Sequence, residues 1–149
     1  MSTEDKQEYV TVKIGTQLFG VGVQEIREVF SPQDITQVPL APKEIGGLIN
    51  LRGRIVTAID ARLKLSLPPR KAGDPFMALG MERGTELFGV LVDEVGEVMR
   101  LDEDALESIP SHLDQRWRSL LKGVYRLENE LLAILDIQSL IAWRSGLAA

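Results

Sequence analysis

Short stretches of partly alternating apolar and polar residues, separated by glycine-containing turns, make up most of this chain. Glu8–Ile14 alternates in part and is rich in β-branched side chains, which favours a strand. A turn at Gly15-Thr16 and a second strand over Gln17–Val23 complete a predicted hairpin. Residues 77–92 predict the same hairpin again, with its turn at Gly84-Thr85. The pattern therefore indicates a mainly β chain built from short strands.

A second kind of hairpin follows in each half. Leu48–Leu51 and Arg54–Ile59 flank the turn Arg52-Gly53, and the corresponding turn in the other half is predicted at Glu128-Asn129. Glycine and asparagine tolerate the positive φ that tight hairpin turns require. Many short strands at regular spacing are typical of small barrels.

Helical segments are predicted to be few and short. The spacing of apolar residues in Gln24–Val29, and in its counterpart in the second half, favours a short helical turn. Asp60 and Asp136 each precede a short apolar segment, so we expect each to cap a helix by accepting hydrogen bonds from free backbone N–H groups. Asp102–Leu121 is polar with periodic leucines and predicts one or two helices around Pro110.

The chain contains an internal repeat. Gly15–Val29 recurs as Gly84–Val98 with ten identical positions of fifteen, at an offset of 69 residues. A fainter match relates Gly47–Leu65 to Gly123–Ile141 at an offset of 76. Two repeats are too few for a solenoid, so we expect one duplicated, pseudo-two-fold domain. The predicted domain is 1–149, with halves at 9–65 and 76–141, a linker at 66–75 and a C-terminal segment at 142–149.

Composition narrows the classes of function. The net charge of −5 and an aromatic content of 5% disfavour nucleic-acid binding, which needs a basic face and stacking platforms. The chain has no cysteine, which excludes disulfides and thiol catalysis. The polar start of the sequence is unlike a secretory signal, and no apolar run approaches the roughly 18 residues of a membrane span. We therefore expect a soluble, cytoplasmic protein without membrane insertion.

Motifs for catalysis, metals or cofactors are not recognisable. His112 is the only histidine, and no nucleophile elbow accompanies it. Asp102-Glu103-Asp104 lacks the glycine and glutamate of a calcium loop, so a helix N-terminus is the simpler interpretation. Gly20-Val21-Gly22 and Gly46-Gly47 match no phosphate loop. The pair Asp93-Glu94 is the best candidate for acid/base catalysis, but neighbours on a strand point to opposite faces. We expect no enzyme activity, no metal and no cofactor.

Charge is distributed unevenly along the sequence. Residues 52–71 contain six basic side chains and one acidic one, whereas residues 82–107 contain nine acidic and two basic ones. One interpretation is ordinary solvated turns and strand faces. The other is a pair of complementary docking patches that steer partners.

Several motifs together resemble those of the CheW family of coupling proteins, from about Tyr9 to Trp143. The stretch Gly47–Arg54, which contains Asn50-Leu51-Arg52-Gly53, is the most specific of them. The others are Val23–Val29, Pro39–Pro42, Ile45–Val56, Asp60–Arg62, Phe88–Val95, Lys122–Val124 and Ile134–Ile137.

This resemblance implies two intertwined five-stranded SH3-like β-barrels with a few short helices. It implies a non-enzymatic adaptor between the cytoplasmic tips of chemoreceptors and the regulatory domain of a CheA-type histidine kinase, with ring or array assembly. A scaffold of a pathway that controls an output other than motility is the alternative, and a small-barrel nucleic-acid binder is a remoter one. The positions that match partner-binding sites of the family are Val23, Glu25, Ile26, Gly47, Arg52, Gly53, Val95, Val98 and Gly123.

A structural role competes with a partner-binding role at most of these positions. A valine in a strand is often an ordinary core residue, and a glycine often serves backbone geometry alone. Arg52 is the strongest functional candidate, because the equivalent residue in the other half is Glu128 and hairpin geometry demands no such charge reversal. A planar guanidinium also suits a specific polar contact across an interface.

Overall fold

A computed structural model describes residues 6–42 and 45–142 of the chain. In these residues eleven strands, three helices and two single 3-10 turns form a mainly β fold. The C-terminal segment beyond Ala142 lies outside this range. The strands are β1 Lys6–Ile14, β2 Gln17–Gly22, β3 Glu28–Phe30, β4 Ile35–Thr36, β5 Ile45–Leu51, β6 Arg54–Asp60, β7 Met77–Arg83, β8 Glu86–Val92, β9 Glu94–Asp102, β10 Leu121–Arg126 and β11 Leu131–Leu135. The helices are α1 Ala61–Lys64, α2 Gln115–Arg118 and α3 Ile137–Ile141.

The strands form two barrel sheets that exchange hairpins. The first sheet has the order β10-β11-β2-β1-β9, and the second has the order β3-β7-β8-β6-β5 with the two-residue strand β4 at its edge. The hairpin β1–β2 of the first half thus lies beside β11 of the second half, and β7–β8 of the second half lies beside β6 of the first. The predicted pair of intertwined five-stranded barrels is confirmed.

The register of the two parallel strand pairs matches both repeat offsets. Thr57 lies opposite Phe88 between β6 and β8, and Ala133 lies opposite Phe19 between β11 and β2. These pairs are equivalent, since 133 − 57 = 76 and 88 − 19 = 69. The fainter repeat is therefore a true structural repeat.

Apolar side chains fill three clusters, one between the barrels and one inside each barrel. Phe19, Val21, Phe88 and Val90 belong to the layer between the barrels and are almost fully buried. Because successive residues of a strand point to opposite faces, the intervening positions of the same strands face the barrel interiors. The interior of the first barrel contains Tyr9, Tyr125, Leu132 and Ile134, and that of the second contains Ile49, Val56, Ala58, Ala78 and Leu91.

The expectations for short helices were partly correct. The Asp60 carboxylate accepts from backbone N–H groups at the start of α1, and the Asp136 carboxylate does so at the start of α3, which confirms both caps. In the first half the helical turn is a single 3-10 turn, Val23–Glu25. Its predicted counterpart in the second half is wrong, because that segment is part of β9, whose backbone bonds to β1 outweigh the local helical preference.

The polar segment Asp102–Leu121 is also less helical than predicted. It contains a 3-10 turn at Glu103–Ala105 and the four-residue helix α2, and the rest is irregular. The Asp102 carboxylate caps the 3-10 turn by accepting from Asp104 N. An isolated bridge from Glu107 to Val124 ties this segment to β10, in the place that β4 occupies beside β5 in the second barrel.

Candidate functional site

The turn between β5 and β6 presents Arg52 in an unusual backbone conformation. Arg52 has φ = +52° and Gly53 has φ = +86°, the two positive values of a type I′ hairpin turn. The Asn50 side-chain oxygen accepts from Gly53 N at 2.9 Å and fixes the turn. A left-handed conformation costs a side chain other than glycine roughly 1–2 kcal/mol. Strain of this kind is concentrated at functional positions, which supports a role for the Arg52 side chain.

Two ion pairs flank a cleft at this end of the second barrel. Arg52 Nη2 lies 2.6 Å from Glu28 Oε1, and Arg27 Nη1 lies 2.7 Å from Glu82 Oε1. Both arginines stay largely exposed, with 69% and 64% of their side-chain surface accessible. The pairs join Glu28 of β3 to the β5–β6 turn and Arg27, the residue before β3, to β7. They hold each guanidinium in place while one face stays open to solvent.

The floor of this cleft is apolar. Phe30, Leu51 and Leu87 are half-buried and pack on the interior cluster of the second barrel. Together with the two ion pairs and Arg54, they enclose a volume of about 310 Å³. We call this site the arginine cleft. An apolar floor with a polar rim is the usual anatomy of a protein-binding patch.

Three of the predicted site residues lie together on the first-barrel side of the molecule. Glu25 Oε2 lies 3.5 Å from Lys122 Nζ, so this ion pair links the 3-10 turn to β10. Val23 is half-buried and borders a shallow groove of about 410 Å³ beside β1 and β9. Ile26 packs against the layer between the barrels.

The predicted valines on β9 differ in their surroundings. Val95 is half-buried against the layer between the barrels, as is its repeat equivalent Ile26. Val98 is 55% exposed, and its equivalent Val29 is 40% exposed. Val95 and Ile26 therefore contribute to the core, whereas Val98 and Val29 present apolar surface at equivalent positions of the two barrels.

Gly47 and Gly123 occupy equivalent β-bulges. The register of β5 with β6 shifts between Ile45 and Gly47, and that of β10 with β11 shifts between Leu121 and Gly123. A Cβ on Gly47 would lie 2.5 Å from Thr36 O, and one on Gly123 would lie 2.6 Å from Glu107 O. Both positions thus require glycine because another backbone segment crosses them closely.

A cluster of two arginines and two aspartates connects the predicted linker to both halves. Arg62 donates to Asp93 from Nε at 3.1 Å and from Nη2 at 2.9 Å. Arg70 lies 3.3 Å from Asp93 Oδ1 and 3.7 Å from Asp60 Oδ2. The Arg70 guanidinium also stacks over the ring of Phe76, 4.5 Å from its centroid. All four charged side chains are at most 19% exposed.

This cluster bears on two sequence-based interpretations, the charged docking patches and the acid/base pair Asp93-Glu94. Arg62, Arg70 and Asp93 face each other, so they leave the two proposed docking patches smaller than the sequence suggests. Burial acts to raise the pKa of Asp93, but hydrogen bonds from Arg62 and Gly15 N and the nearby arginine charges outweigh it and lower the pKa. The lowered pKa keeps Asp93 ionised, the opposite of what a general acid near neutral pH requires.

Replacing Asp93 by asparagine is expected to lower the free energy of unfolding by about 2 kcal/mol at pH 7, since it leaves two largely buried arginines without their main acceptor. The folded-state pKa of Asp93 lies below that of the unfolded chain. The stabilisation is therefore fully present above about pH 4 and is lost as the pH falls through the folded-state pKa. Urea unfolding of wild type and variant at pH 7 and in acid measures this.

The neighbouring exposed residue supplies the control for that measurement. Glu94→Gln removes the same charge one residue away without touching the cluster. We expect it to change the stability by less than about 0.5 kcal/mol. Equal stability losses for the two variants would show that the cluster contributes nothing beyond a surface charge.

Within residues 6–42 and 45–142, no group of three or more histidine, aspartate or glutamate side chains is arranged to hold a metal ion. In the same residues no helix has the length and apolar character needed to cross a membrane. What the site offers is a set of guanidinium and carboxylate groups around apolar surface.

The structure separates the predicted site residues into groups. Arg52 and Gly53 lie at the arginine cleft, and Val23 and Glu25 lie on the first-barrel side. Val98 is exposed on β9. The residues that lie in the framework are Ile26, Gly47, Val95 and Gly123. The sequence predictions missed other residues of the cleft. Glu28 is 24 positions from Arg52, and only the fold brings the two together. The missed residues are Glu28, Phe30, Arg54, Glu82 and Leu87.

Comparison with known proteins identifies the family. Residues 8–145 match the CheW-like domain. The chain is 27% identical over 149 residues to the chemotaxis protein CheW of Treponema pallidum, with 95% of this chain and 86% of the relative covered. It is 28% identical over 131 residues to that of Bacillus subtilis, with 88% and 84% covered.

A solved structure shows the same architecture. The crystal structure of the scaffolding protein TtCheW from Thermoanaerobacter tengcongensis matches with a TM-score of 0.78 at 26% identity, over 88% of this chain and 84% of that chain. Two interlocked small barrels of this kind define the fold of a chemotaxis scaffolding or coupling protein. The chain belongs to the CheW-like domain family.

Proposed function

We propose that this chain is a non-enzymatic cytoplasmic adaptor that couples chemoreceptors to a CheA-type histidine kinase. The observation that carries the proposal is the extent of the family match, which spans residues 8–145 and so includes both barrels. The similarity of the fold to a scaffolding protein supports the same function.

Two separate surfaces suit an adaptor with two partners. The arginine cleft lies at the mouth of the second barrel, whereas Val23 and Glu25 lie beside the first barrel. In mechanism, the adaptor holds receptor and kinase in a fixed relative geometry. A receptor signal then shifts the conformational equilibrium of the kinase through contacts that differ between its states.

Co-purification tests this proposal. The protein is mixed with the regulatory domain of a CheA-type kinase and with a cytoplasmic receptor fragment from the same genome. We expect stable binding to each partner alone and a ternary complex when all three are present. Absence of binding to both partners would refute the proposal, and binding to only one would reduce the protein to a simple ligand of that partner.

A further inference from the structure

Arg54 differs from the other two arginines of the arginine cleft. It begins β6, directly across the turn from Leu51, and its side chain is exposed at the rim. Arg27 and Arg52 each have a glutamate partner within 2.7 Å. Within the described part of the chain, the Arg54 side chain has neither an ion pair nor a hydrogen bond. Its five N–H donors are therefore free to bind an external acceptor.

The charge balance of the cleft favours one negative charge. Three guanidinium groups and two carboxylates give a local charge of +1, whereas the whole chain carries −5. Glu28 and Glu82 stand beside Arg52 and Arg27 and would repel a group with several negative charges. A phosphate or a nucleic-acid backbone is therefore a poor match, and a single carboxylate is a good one.

The apolar floor of the arginine cleft sets a second requirement for the molecule that binds there. Phe30, Leu51 and Leu87 expose apolar surface next to the free guanidinium, inside a volume of about 310 Å³. Burying an apolar side chain there removes unfavourable contact with water from both molecules. An occupant that combines a carboxylate with a large apolar side chain satisfies the rim and the floor together.

We propose that the arginine cleft binds a surface segment of a partner protein that carries a carboxylate next to a large apolar side chain. The carboxylate pairs with Arg54, and the apolar side chain packs on Phe30, Leu51 and Leu87. The Arg52–Glu28 and Arg27–Glu82 pairs form the fixed walls of the site. The inference rests on the proposed adaptor function and adds the chemistry of the segment that docks at this surface.

A peptide experiment tests this chemistry without the partner. The probe is the capped tripeptide Leu-Glu-Phe at millimolar concentration, compared with Leu-Gln-Phe, and the readout is backbone amide chemical shifts of the full-length protein. We expect Leu-Glu-Phe to shift the amides of Phe30, Leu51 and Leu87. Arg54→Gln should weaken that binding about three- to fivefold, the effect of losing one exposed ion pair.

Arg100→Gln supplies the matched control, because Arg100 is also exposed but lies on β9 of the first barrel. It removes the same charge and should leave the peptide affinity unchanged. Shifts that are absent from the cleft, equal for the two peptides, or equally weakened by both variants would overturn the proposal.

The second part of the test measures binding of the wild type and of Arg54→Gln to the kinase domain and to the receptor fragment. If Arg54→Gln leaves binding to both unchanged while the wild type binds them, the adaptor function stands and the proposed docking chemistry fails. If neither partner binds but the peptide result is as expected, the docking chemistry stands and the adaptor function fails.

Discussion

Replacing Gly47 by alanine is expected to lower the free energy of unfolding by about 3 kcal/mol. Gly47 has φ = +137°, a value that side chains rarely adopt, so the new Cβ adds backbone strain. That Cβ would also lie 2.5 Å from Thr36 O and 2.6 Å from the Ile35 side chain. Because a backbone oxygen on the neighbouring strand β4 blocks the space, the sheet must shift to relieve the clash. Urea unfolding followed by circular dichroism measures the loss.

Alanine variants at two other glycines distinguish backbone strain from steric clash as causes of the expected loss of stability. Gly73 has φ = +92° but open space around it, so Gly73→Ala adds strain alone and should cost about 1 kcal/mol or less. Gly123 meets Glu107 O at 2.6 Å without a positive φ, so Gly123→Ala adds the clash alone and should cost about 2 kcal/mol. A Gly47→Ala variant no less stable than Gly73→Ala would contradict the bulge geometry.

The same variants decide what Gly47 and Gly123 do in the candidate site. If they serve backbone geometry alone, the fraction of each variant that is folded should bind partners with unchanged affinity. A loss of affinity at full folding would instead place these residues in contact with a partner. Binding measured well below the unfolding temperature, on samples checked for native circular dichroism, distinguishes the two cases.

The repeat allowed much of the fold to be predicted from the sequence. The strong match fixed the hairpins β1–β2 and β7–β8, and the faint match placed β5–β6 and β10–β11 in equivalent positions. Both could be found because barrel interiors and tight turns restrict residue types at each position. The caps Asp60 and Asp136 were equally visible, since an N-cap depends on the few residues that follow it.

One mismatch between the halves has a packing explanation that the sequence concealed. Arg27 and Gly96 are equivalent, as are Gly80 and Thr11. In the first barrel a Cβ on Gly96 would lie 2.7 Å from Thr11 Oγ1. In the second barrel Arg27 N donates to Gly80 O at 2.7 Å, and a Cβ on Gly80 would meet Glu28 and Phe30 at 3.4 Å. Each barrel therefore places one glycine in the pair, on opposite strands. The glycine at position 96 is thus explained by Thr11 on the paired strand β1, a contact that only long-range pairing reveals.

The arginine cleft and the buried cluster around Asp93 could not be predicted from the sequence, because they also depend on long-range pairing. Their ion pairs join residues 24 to 55 positions apart in the cleft and 23 to 31 apart around Asp93. Local patterns predict which residues are charged but not which charges meet. The two charged stretches therefore suggested docking patches, although several of their side chains pair with each other inside the protein.

Replacing Arg52 by glutamate is expected to weaken partner binding about 30-fold, or roughly 2 kcal/mol. The change removes a guanidinium from the rim of the arginine cleft and places a second carboxylate beside Glu28, which repels it. Arg52→Asn removes the same charge but suits the left-handed turn, so it should raise stability by up to about 1 kcal/mol while still weakening binding. Titration calorimetry with the kinase regulatory domain and with the receptor fragment measures both variants.

A charge swap separates the two roles that Arg52 can have. The double variant Arg52→Glu, Glu28→Arg restores an internal ion pair with its direction reversed. If Arg52 only fixes β3 to the turn, the swap should recover most of the lost affinity. If Arg52 contacts the partner directly, as its strained backbone and 69% exposure indicate, the swap should remain as weak as Arg52→Glu. The equivalent swap of Arg27 and Glu82 is the control. It shows whether a failure to recover affinity is specific to the β5–β6 turn.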